Sequence, residues 1–250
     1  MENNKPWVLI TGAQGGLGKA LVGEFVANNY KVIATDLVDA QLELENVVSI
    51  QNNLERIAVD ESYANRFKNQ IDEITGESGL SVLINNAAVQ ILGAAKDLTR
   101  SQWQASFNVN LHAPFFLSQL FLDDLAKNEG AIVNISSIHA TQTKKEFVAY
   151  ATTKAALSAM TRNMVLDVGN RVRINAIEPA AIATEMLKAS FNGHENKLKQ
   201  LEDFHPIGRV GTPIEVAKLA VFLSSEDARF VQGACISASG GIQGCLSDPT

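Results

Sequence analysis

The sequence has few of the residues that mark a metal site, a disulfide-rich secreted domain or a nucleic-acid-binding protein. Its 250 residues include two cysteines, Cys235 and Cys245, and neither they nor the four histidines show metal-ligand spacing. The formal net charge is −6, so the chain lacks the basic excess that favours nucleic acid or an anionic membrane. No run of about 20 predominantly apolar residues offers a membrane span. We therefore expect no metal, no nucleic acid and no membrane among its partners.

Signals for targeting and for a second domain are missing as well. The N-terminal segment MENNKPWVLITG has no basic-then-apolar signal region, and two cysteines fit a reducing compartment, so we expect a cytoplasmic protein. No Pro-, Gly- or Ser-rich linker and no internal repeat interrupts the chain, which predicts one domain over residues 1–250. A G-x-S-x-G elbow is absent, and this argues against a serine hydrolase.

Apolar runs and amphipathic segments alternate along the whole chain. This alternation predicts an α/β protein with a parallel sheet and covering helices. Helices are predicted at Gly16–Asn28 and Glu61–Ile74, and at two segments opened by capping-box spacing, after Thr99 and after Thr212. The predicted strands are Trp7–Thr11, Lys31–Asp36, Val47–Ile50, Ser81–Asn85, Ala131–Ser136, Arg173–Ile177 and Ala234–Ser237.

A glycine-rich segment, Thr11–Gly18 (TGAQGGLG), lies between the first strand and the first helix. Glycines there let the backbone approach a pyrophosphate, and the helix start offers free N–H groups and a positive dipole. A glycine-rich turn that serves packing alone is the other interpretation. Its place after the first strand of an alternating chain favours dinucleotide binding.

Asp36 ends the second strand, 18 residues beyond Gly18. A carboxylate at this position accepts hydrogen bonds from the adenosine ribose and repels a 2′-phosphate. Gln14 and Leu37 put no cation beside it. The pattern therefore favours NAD over NADP, against the plainer interpretation of an aspartate in a turn.

Two further segments carry polar groups suited to proton transfer. Tyr150 and Lys154 stand four residues apart, which places phenol and ammonium on one helix face. A nearby cation is expected to lower the tyrosine pKa and make it a proton donor or acceptor. Ser136 and Ser137 end the fifth strand, where function collects in parallel sheets. Taken alone, each segment also fits an ordinary surface pair or turn.

Together these segments resemble the short-chain dehydrogenase/reductase family over nearly the whole chain. The resemblance also includes Asn85–Ala88 (NNAA), Asn175–Pro179 (NAIEP) followed by Ile182–Thr184 (IAT), Pro206–Gly211 (PIGRVG) and Gly240–Gly241. The chain departs from the family pattern at Asn53, Ala88, Glu178, Ala180 and Ser239, none of which removes a catalytic group.

The resemblance implies a Rossmann-like doubly wound sheet of seven parallel strands and an NAD(P)-dependent oxidoreductase. It implies that the catalytic residues are Asn110, Ser137, Tyr150 and Lys154. The cofactor-binding residues that it implies are Gly12, Gln14, Gly16, Leu17, Gly18, Asp36, Asn53, Leu54, Asn86, Ala87, Tyr150, Lys154, Pro179, Ile182 and Thr184. Substrate contacts are predicted at Ser137, His139, Phe147, Tyr150 and Met186.

Asn110 also has a physical interpretation. Pro114 lies four residues later and has no N–H to bond the Asn110 carbonyl, so a helix here should kink and leave that carbonyl free. A water held by it would link Lys154 to solvent as a proton relay. The plainer alternative is a packing kink.

We therefore expect an NAD-dependent enzyme that interconverts a secondary alcohol and a ketone on a small molecule. A 3-oxoacyl-thioester reductase is the alternative enzyme, and a catalytically silent nucleotide-sensing or scaffold protein is the alternative of another class. Residues 101–122 contain no Asp, Glu, Lys or Arg, which predicts burial against a second subunit; the resemblance implies a homotetramer. Residues 185–205 are predicted to form a mobile substrate lid of two short helices.

Overall fold

A computed structural model describes residues 5–38, 42, 44–185, 187, 191 and 195–245. Within them seven strands form one fully parallel sheet in the order β3-β2-β1-β4-β5-β6-β7, which confirms the predicted fold class. The strands are β1 Trp7–Thr11, β2 Lys31–Asp36, β3 Val47–Gln51, β4 Val82–Asn85, β5 Ala131–Ile135, β6 Arg173–Pro179 and β7 Cys235–Ala238. Each lies within two residues of its predicted bounds.

Both faces of the sheet are covered, which explains why its central strands are continuously apolar rather than alternating. Trp7 and Leu9 pack into one core cluster with residues of the helices on that side. Val8 and Ile10, which point the other way, pack into a second cluster. The strand period of two thus divides one apolar run between two cores.

The helices found in the described residues follow the predicted alternation, with one addition. They are α1 Gly16–Ala27, α2 Leu54–Val59, α3 Glu61–Thr75, α4 Arg100–Phe107, α5 Ala113–Leu120, α6 Leu122–Lys127, α7 Val148–Val168, α8 Glu195–Asp203 and α9 Pro213–Ser224. The predicted capping boxes at Thr99 and Thr212 are both formed. Helix α2 was not predicted, because six residues are too few to show a helical period. None of the helices described is long and apolar enough to cross a membrane.

The uncharged stretch 101–122 is not one straight helix. A π-helical turn, Asn108–His112, separates α4 from α5, and Pro114 lies in the first turn of α5. The helix is therefore interrupted where the kink was predicted, and the N–H that proline lacks is a physical reason for an interruption there. In the single chain Trp103, Phe115 and Phe116 keep more than a third of their surface exposed, so burial within one subunit does not account for the missing charge.

The strand order places a switch point between β1 and β4. The chain leaves β1 toward β2 on one side and continues from β4 toward β5 on the other, so a crevice opens at the carboxyl ends of these strands. The predicted lid lies partly outside the described residues: α8 falls where its second helix was expected, but Met186, 188–190 and 192–194 are not described.

Candidate active site

The glycine loop after β1 is fixed by close backbone contacts. Gly12 has φ +66°, and a Cβ there would lie 2.7 Å from the Cα of Ala87. A Cβ on Gly18 would overlap the carbonyl oxygen of Gly12. Gly15 precedes α1 and offers no side-chain cap, so the first N–H groups of the helix are left for a ligand. This is the arrangement that a pyrophosphate requires.

Asn86 braces this loop from the end of β4. Its side-chain amide donates to the carbonyls of Thr11, at 2.8 Å, and Gly12, at 3.0 Å. The hydroxyl of Thr11 in turn accepts the backbone N–H groups of Asn86 and Ala87, both at 3.0 Å. The segment NNAA therefore holds the glycine loop in its conformation. This structural role was not predicted from the sequence.

Asp36 lies against the same loop. One carboxylate oxygen accepts the backbone N–H of Gln14 at 2.9 Å, and the other accepts that of Leu37 at 2.7 Å. A carboxylate accepts several hydrogen bonds, so both oxygens retain lone pairs for ribose hydroxyls. The described residues that line the crevice include no lysine and no arginine.

The crevice has a volume of about 730 Å³ and runs from Asp36 to Thr184. Of the predicted cofactor residues, eleven line it: Gly12, Gln14, Gly16, Leu17, Gly18, Asp36, Asn53, Leu54, Asn86, Ala87 and Thr184. Tyr150, Lys154, Pro179 and Ile182 are not among its described lining. Sequence reasoning missed Asn52 and Val109, both of which face it.

Two asparagines follow β3, and their side chains make different hydrogen bonds. Asn53 caps α2, because its side-chain oxygen accepts the N–H groups of Glu55 and Arg56. Asn52 is buried, and its side-chain oxygen accepts a hydrogen bond from Tyr63 at 3.0 Å. The amide nitrogen of Asn52 has no hydrogen-bond partner. A buried, unpaired donor in the crevice wall is the group that an adenine acceptor would satisfy.

Ser137, Tyr150 and Lys154 come together at the end of β5. The Ser137 side chain lies close enough to the Tyr150 phenol to lower its pKa, and the ammonium of Lys154 lies 5.7 Å from the Tyr150 ring centre. Ser137 and Lys154 are buried, and Tyr150 is partly so. The structure therefore gathers three of the four predicted catalytic groups in one place.

The expected electrostatics of this cluster are wrong in one respect. Burial raises the pKa of the Tyr150 phenol, opposed by the nearby Ser137 side chain, whereas the sequence predicted a lowering by Lys154. Burial also lowers the pKa of Lys154 to about 7, and its ammonium donates to the carbonyl of Ile135 at 2.7 Å. Helical spacing predicts that two groups are close, but desolvation is a tertiary effect that the spacing does not contain.

Asn110 lies in the π-helical turn and is fully buried. Its side-chain oxygen accepts the N–H of Val89 at 2.8 Å, and its amide donates to the Val89 carbonyl at 2.9 Å and to the hydroxyl of Thr153 at 3.0 Å. The side chain thus joins the loop after β4 to α7, one residue from Lys154.

His139 and Phe147 form an aromatic wall beside Tyr150. Their rings stack with centres 4.4 Å apart, and the His139 ring meets Tyr150 edge-on at 5.9 Å. Burial, helped by the charge of Lys144, lowers the pKa of His139 to about 4. At neutral pH this imidazole is therefore uncharged. Met186, the remaining predicted substrate residue, lies outside the described residues.

The segment after β6 tolerates the departures from the family pattern. Ala180 donates its N–H to the carbonyl of Ala238 at 3.2 Å and has no positive φ, so its methyl group causes no backbone strain. Ile182 pairs with Gly211, and Thr184 lies against Gly16 of the glycine loop. The ends of β1 and β6 therefore meet across the crevice.

With this geometry in view, comparison with known proteins identifies the class. Residues 12–243 match a family model described as enoyl-(acyl carrier protein) reductase. The chain belongs to the short-chain dehydrogenase/reductase family and is an oxidoreductase of that family.

Similar proteins act on several kinds of substrate. A glucose and ribitol dehydrogenase homolog of rice (Oryza sativa subsp. japonica) is 31% identical over 94% of this chain and 84% of its own. A 3-oxoacyl-(acyl-carrier-protein) reductase of Thermotoga maritima is 29% identical over 94% of this chain and 96% of its own. The ligand-free aldohexose dehydrogenase of Thermoplasma acidophilum superposes with a TM-score of 0.89 at 29% identity, over 100% of this chain and 98% of that one.

Solved relatives hold either dinucleotide. One, named ElxO, has NADP bound and a TM-score of 0.87 at 29% identity, covering 97% of this chain and 100% of that one. Another, 4-hydroxyisoleucine dehydrogenase, is complexed with NADH and has a TM-score of 0.86 at 26% identity, with the same coverage. The family membership thus establishes NAD(P) chemistry, and the choice between the two depends on residues of this chain.

Proposed function

We propose that this protein is an NAD-dependent dehydrogenase that interconverts a secondary alcohol and a ketone on a small molecule. The observation that carries the proposal is the buried Ser137, Tyr150 and Lys154 cluster beside a crevice that fits a dinucleotide. The crevice offers an uncapped helix start, a carboxylate at its ribose end and an unpaired amide at Asn52. Bound NAD would supply the hydride acceptor.

In this proposal Tyr150 exchanges a proton with the substrate oxygen, and Ser137 holds that oxygen. Lys154 is the proton store behind Tyr150: with a pKa of about 7 it is close to half protonated at neutral pH and can both give and take a proton. With its carbonyl denied a hydrogen bond from Pro114, Asn110 would hold the water that connects Lys154 with solvent.

Preference for NAD rests on Asp36. Its carboxylate is held in place by two backbone N–H groups, and no lysine or arginine of the described crevice wall would pair with a 2′-phosphate. The 2′-phosphate of NADP would therefore be repelled by Asp36, and no cation of the described wall would offset this repulsion.

The proposal is tested by measuring NADH formation with a panel of sugars, polyols and hydroxy acids. We expect at least one secondary alcohol to be oxidised with NAD and far more slowly with NADP. Binding of NAD without turnover of any alcohol, and without reduction of any ketone, would instead support a nucleotide-sensing protein.

A second candidate is reduction of a 3-oxoacyl thioester. The similarity to the Thermotoga maritima reductase favours it. The two candidates separate in one assay, since NADPH oxidation with acetoacetyl thioesters exceeding all NAD-linked rates would select the reductase.

We also propose that the protein is a homotetramer. Three aromatic side chains of the α4–α5 segment, Trp103, Phe115 and Phe116, are partly exposed, and Leu166 on α7 is 79% exposed. Adjacent helices of a second subunit would cover these groups. Sedimentation of a stable monomer at micromolar concentration would contradict the proposal.

A further inference from the structure

Glu178, at the carboxyl end of β6, is a buried carboxylate that the reaction described above does not use. Among the described residues, Lys154 and Glu178 are the only Asp, Glu, Lys or Arg residues that are buried, with 2% and 4% of their surface exposed. No ion pair of the described residues includes Glu178. Burying a charge without a partner is costly, so its retention here calls for a specific contact.

That contact is a chain of hydrogen bonds that ends at Lys154. The hydroxyl of Ser158 donates to Glu178 at 2.7 Å, and the hydroxyls of Ser158 and Ser136 are 2.8 Å apart. Ser136 also donates to the backbone carbonyl of Lys154 at 2.9 Å. The two buried charged residues of the described chain therefore stand at opposite ends of one buried network.

Glu178 fixes the direction of this chain. Each serine has one hydroxyl proton, and the proton of Ser158 is committed to the carboxylate. Ser136 then faces two acceptors, Ser158 Oγ and the Lys154 carbonyl, and both belong to α7. Its proton must point from β5 toward the helix. Without Glu178 the Ser158 hydroxyl loses its acceptor on β6 and turns to donate to Ser136, so α7 keeps its hydrogen bonds to β5 and loses its tie to β6.

The tie to β6 matters because β5 by itself holds Lys154 at only two points. The carbonyl of Ile135 accepts a hydrogen bond from the ammonium, and the hydroxyl of the next residue, Ser136, donates to the carbonyl of Lys154 itself. We propose that Glu178 is a positioning residue which, through Ser158 and Ser136, fixes Lys154 in the geometry that proton transfer needs. The catalytic consequence of this inference rests on the proposed function, but the contact itself does not.

Among the described residues, few other titratable groups lie on the elements packed against Glu178. Lys154 and Arg162 lie on α7, and Cys235 lies on β7, where its sulfur accepts a hydrogen bond from Arg162 at 3.2 Å. Burial raises the pKa of the Cys235 thiol, and the negative charge of Glu178 acts in the same direction. Cys235 is therefore a neutral neighbour at physiological pH, and Ser158 is the polar group that reaches the carboxylate.

The test measures the titration midpoint of the Lys154 side chain directly, in the full chain without cofactor. Lysines are labelled with ¹³C at Cε, the Lys154 signal is identified by its loss in Lys154→Met, and its titration is followed by NMR. We expect Glu178→Ala and Ser158→Ala to shift the Lys154 midpoint by about 0.5 pH unit or more. Glu178→Gln, whose side-chain oxygen still accepts from Ser158, should keep the wild-type midpoint.

Thr161→Val is the matched control for general loosening of α7. Its hydroxyl is also buried, one turn further along, but donates to the Leu157 carbonyl and accepts from Asn134 rather than joining the Lys154 chain. The proposal is overturned if Glu178→Ala leaves Lys154 titrating as in Thr161→Val. It is equally overturned if Glu178→Gln shifts Lys154 as far as Glu178→Ala, since charge alone would then be responsible.

Turnover adds a second readout once a substrate is known. Glu178→Ala should lower kcat about 10- to 100-fold, as for a small displacement of a reacting group, while KM for NAD stays near its wild-type value. If the variants show the expected NMR shifts but the folded wild-type protein turns over no substrate, the proposed function is contradicted. The positioning contact between Glu178 and Lys154 then still stands.

Discussion

The candidate active site has two halves, the crevice and the Tyr150 cluster beside it, and they are built from different chemical groups. In the half formed by β1, β2 and β4, ligand-facing groups are mostly backbone: glycines, the start of α1 and N–H groups braced by Asn86. In the other half, the cluster beside the crevice at β5, β6 and α7, the functional groups are buried ionisable side chains, above all Lys154 and Tyr150. Backbone dipoles bind an anion at any pH, whereas buried side chains acquire pKa values suited to moving a proton.

The comparison predicts that the second half can be disabled while the first keeps working. Tyr150→Phe keeps the ring and deletes the proton, so we expect turnover to fall about 10²- to 10⁴-fold. Affinity for NAD, measured by isothermal titration, should change little, because the glycine loop and Asp36 are untouched. Tyr30→Phe, at the opposite edge of the sheet, is the control and should keep full activity.

Lys154 should also make the free energy of unfolding depend on pH. Its pKa is about 7 in the folded protein and near 10.4 when unfolded, so between these values the unfolded chain binds the extra proton. The free energy of unfolding must then rise with pH, by about 2 kcal/mol from pH 7 to pH 9, and the penalty is fully present below pH 7. Lys154→Met should lose this slope and be the more stable protein at pH 7.

Urea unfolding of the two proteins at several pH values measures the difference. Lys218→Met, on the exposed face of α9, is the control and should keep the wild-type slope. An identical slope in Lys154→Met and wild type would mean that the ammonium stays charged in the fold, and the proton-store role would fail.

The first half should instead be sensitive to single methyl groups on its backbone. Gly18→Ala puts a Cβ onto the Gly12 carbonyl and should destabilise the fold by about 2 kcal/mol or more and weaken NAD binding. Gly23→Ala on the same helix meets nothing within 4 Å and should stabilise by about 0.5–1 kcal/mol. Thermal unfolding of both variants with and without NAD measures these effects. If Gly18→Ala and Gly23→Ala changed stability and NAD binding equally, the loop would not be tightly packed.

The same division decides how far the sequence could be interpreted. The glycine loop, the end of β2 at Asp36 and the capping boxes are local patterns whose geometry follows from a few adjacent residues, and their places in the fold were predicted. Asn53, predicted as a cofactor contact, lines the crevice and also caps the short helix α2, and its buried neighbour Asn52, which was not predicted, lines the crevice with it. Choosing between adjacent asparagines requires knowing where α2 begins.

The second half depends on contacts between distant segments, which local patterns do not contain. The spacing of Tyr150 and Lys154 predicted their closeness but gave the wrong direction for the tyrosine pKa, since burial raises this pKa by more than Ser137 lowers it. Glu178 stood out only as an unusual residue. Its link to Lys154 runs through Ser158 and Ser136, 20 and 42 residues away in sequence, and appears only when β5, β6 and α7 are packed together.

The smallest of the predicted effects concerns the choice of dinucleotide, which belongs wholly to the first half. Asp36→Ala removes both the acceptor for the adenosine ribose and the charge that repels a 2′-phosphate, so the preference for NAD over NADP should narrow by about tenfold or more. Most of the change should appear as weaker NAD binding and stronger NADP binding, with kcat for NAD close to wild type because the Tyr150 cluster is intact.

Asp36→Asn is the sharper variant, since it keeps an acceptor of the same size and removes only the charge. It should raise NADP affinity while lowering NAD affinity less than Asp36→Ala does. Titration calorimetry of the wild type and both variants with NAD and NADP measures the six dissociation constants. Wild-type protein that binds NADP as tightly as NAD would show that the carboxylate, held by Gln14 and Leu37, does not select the cofactor.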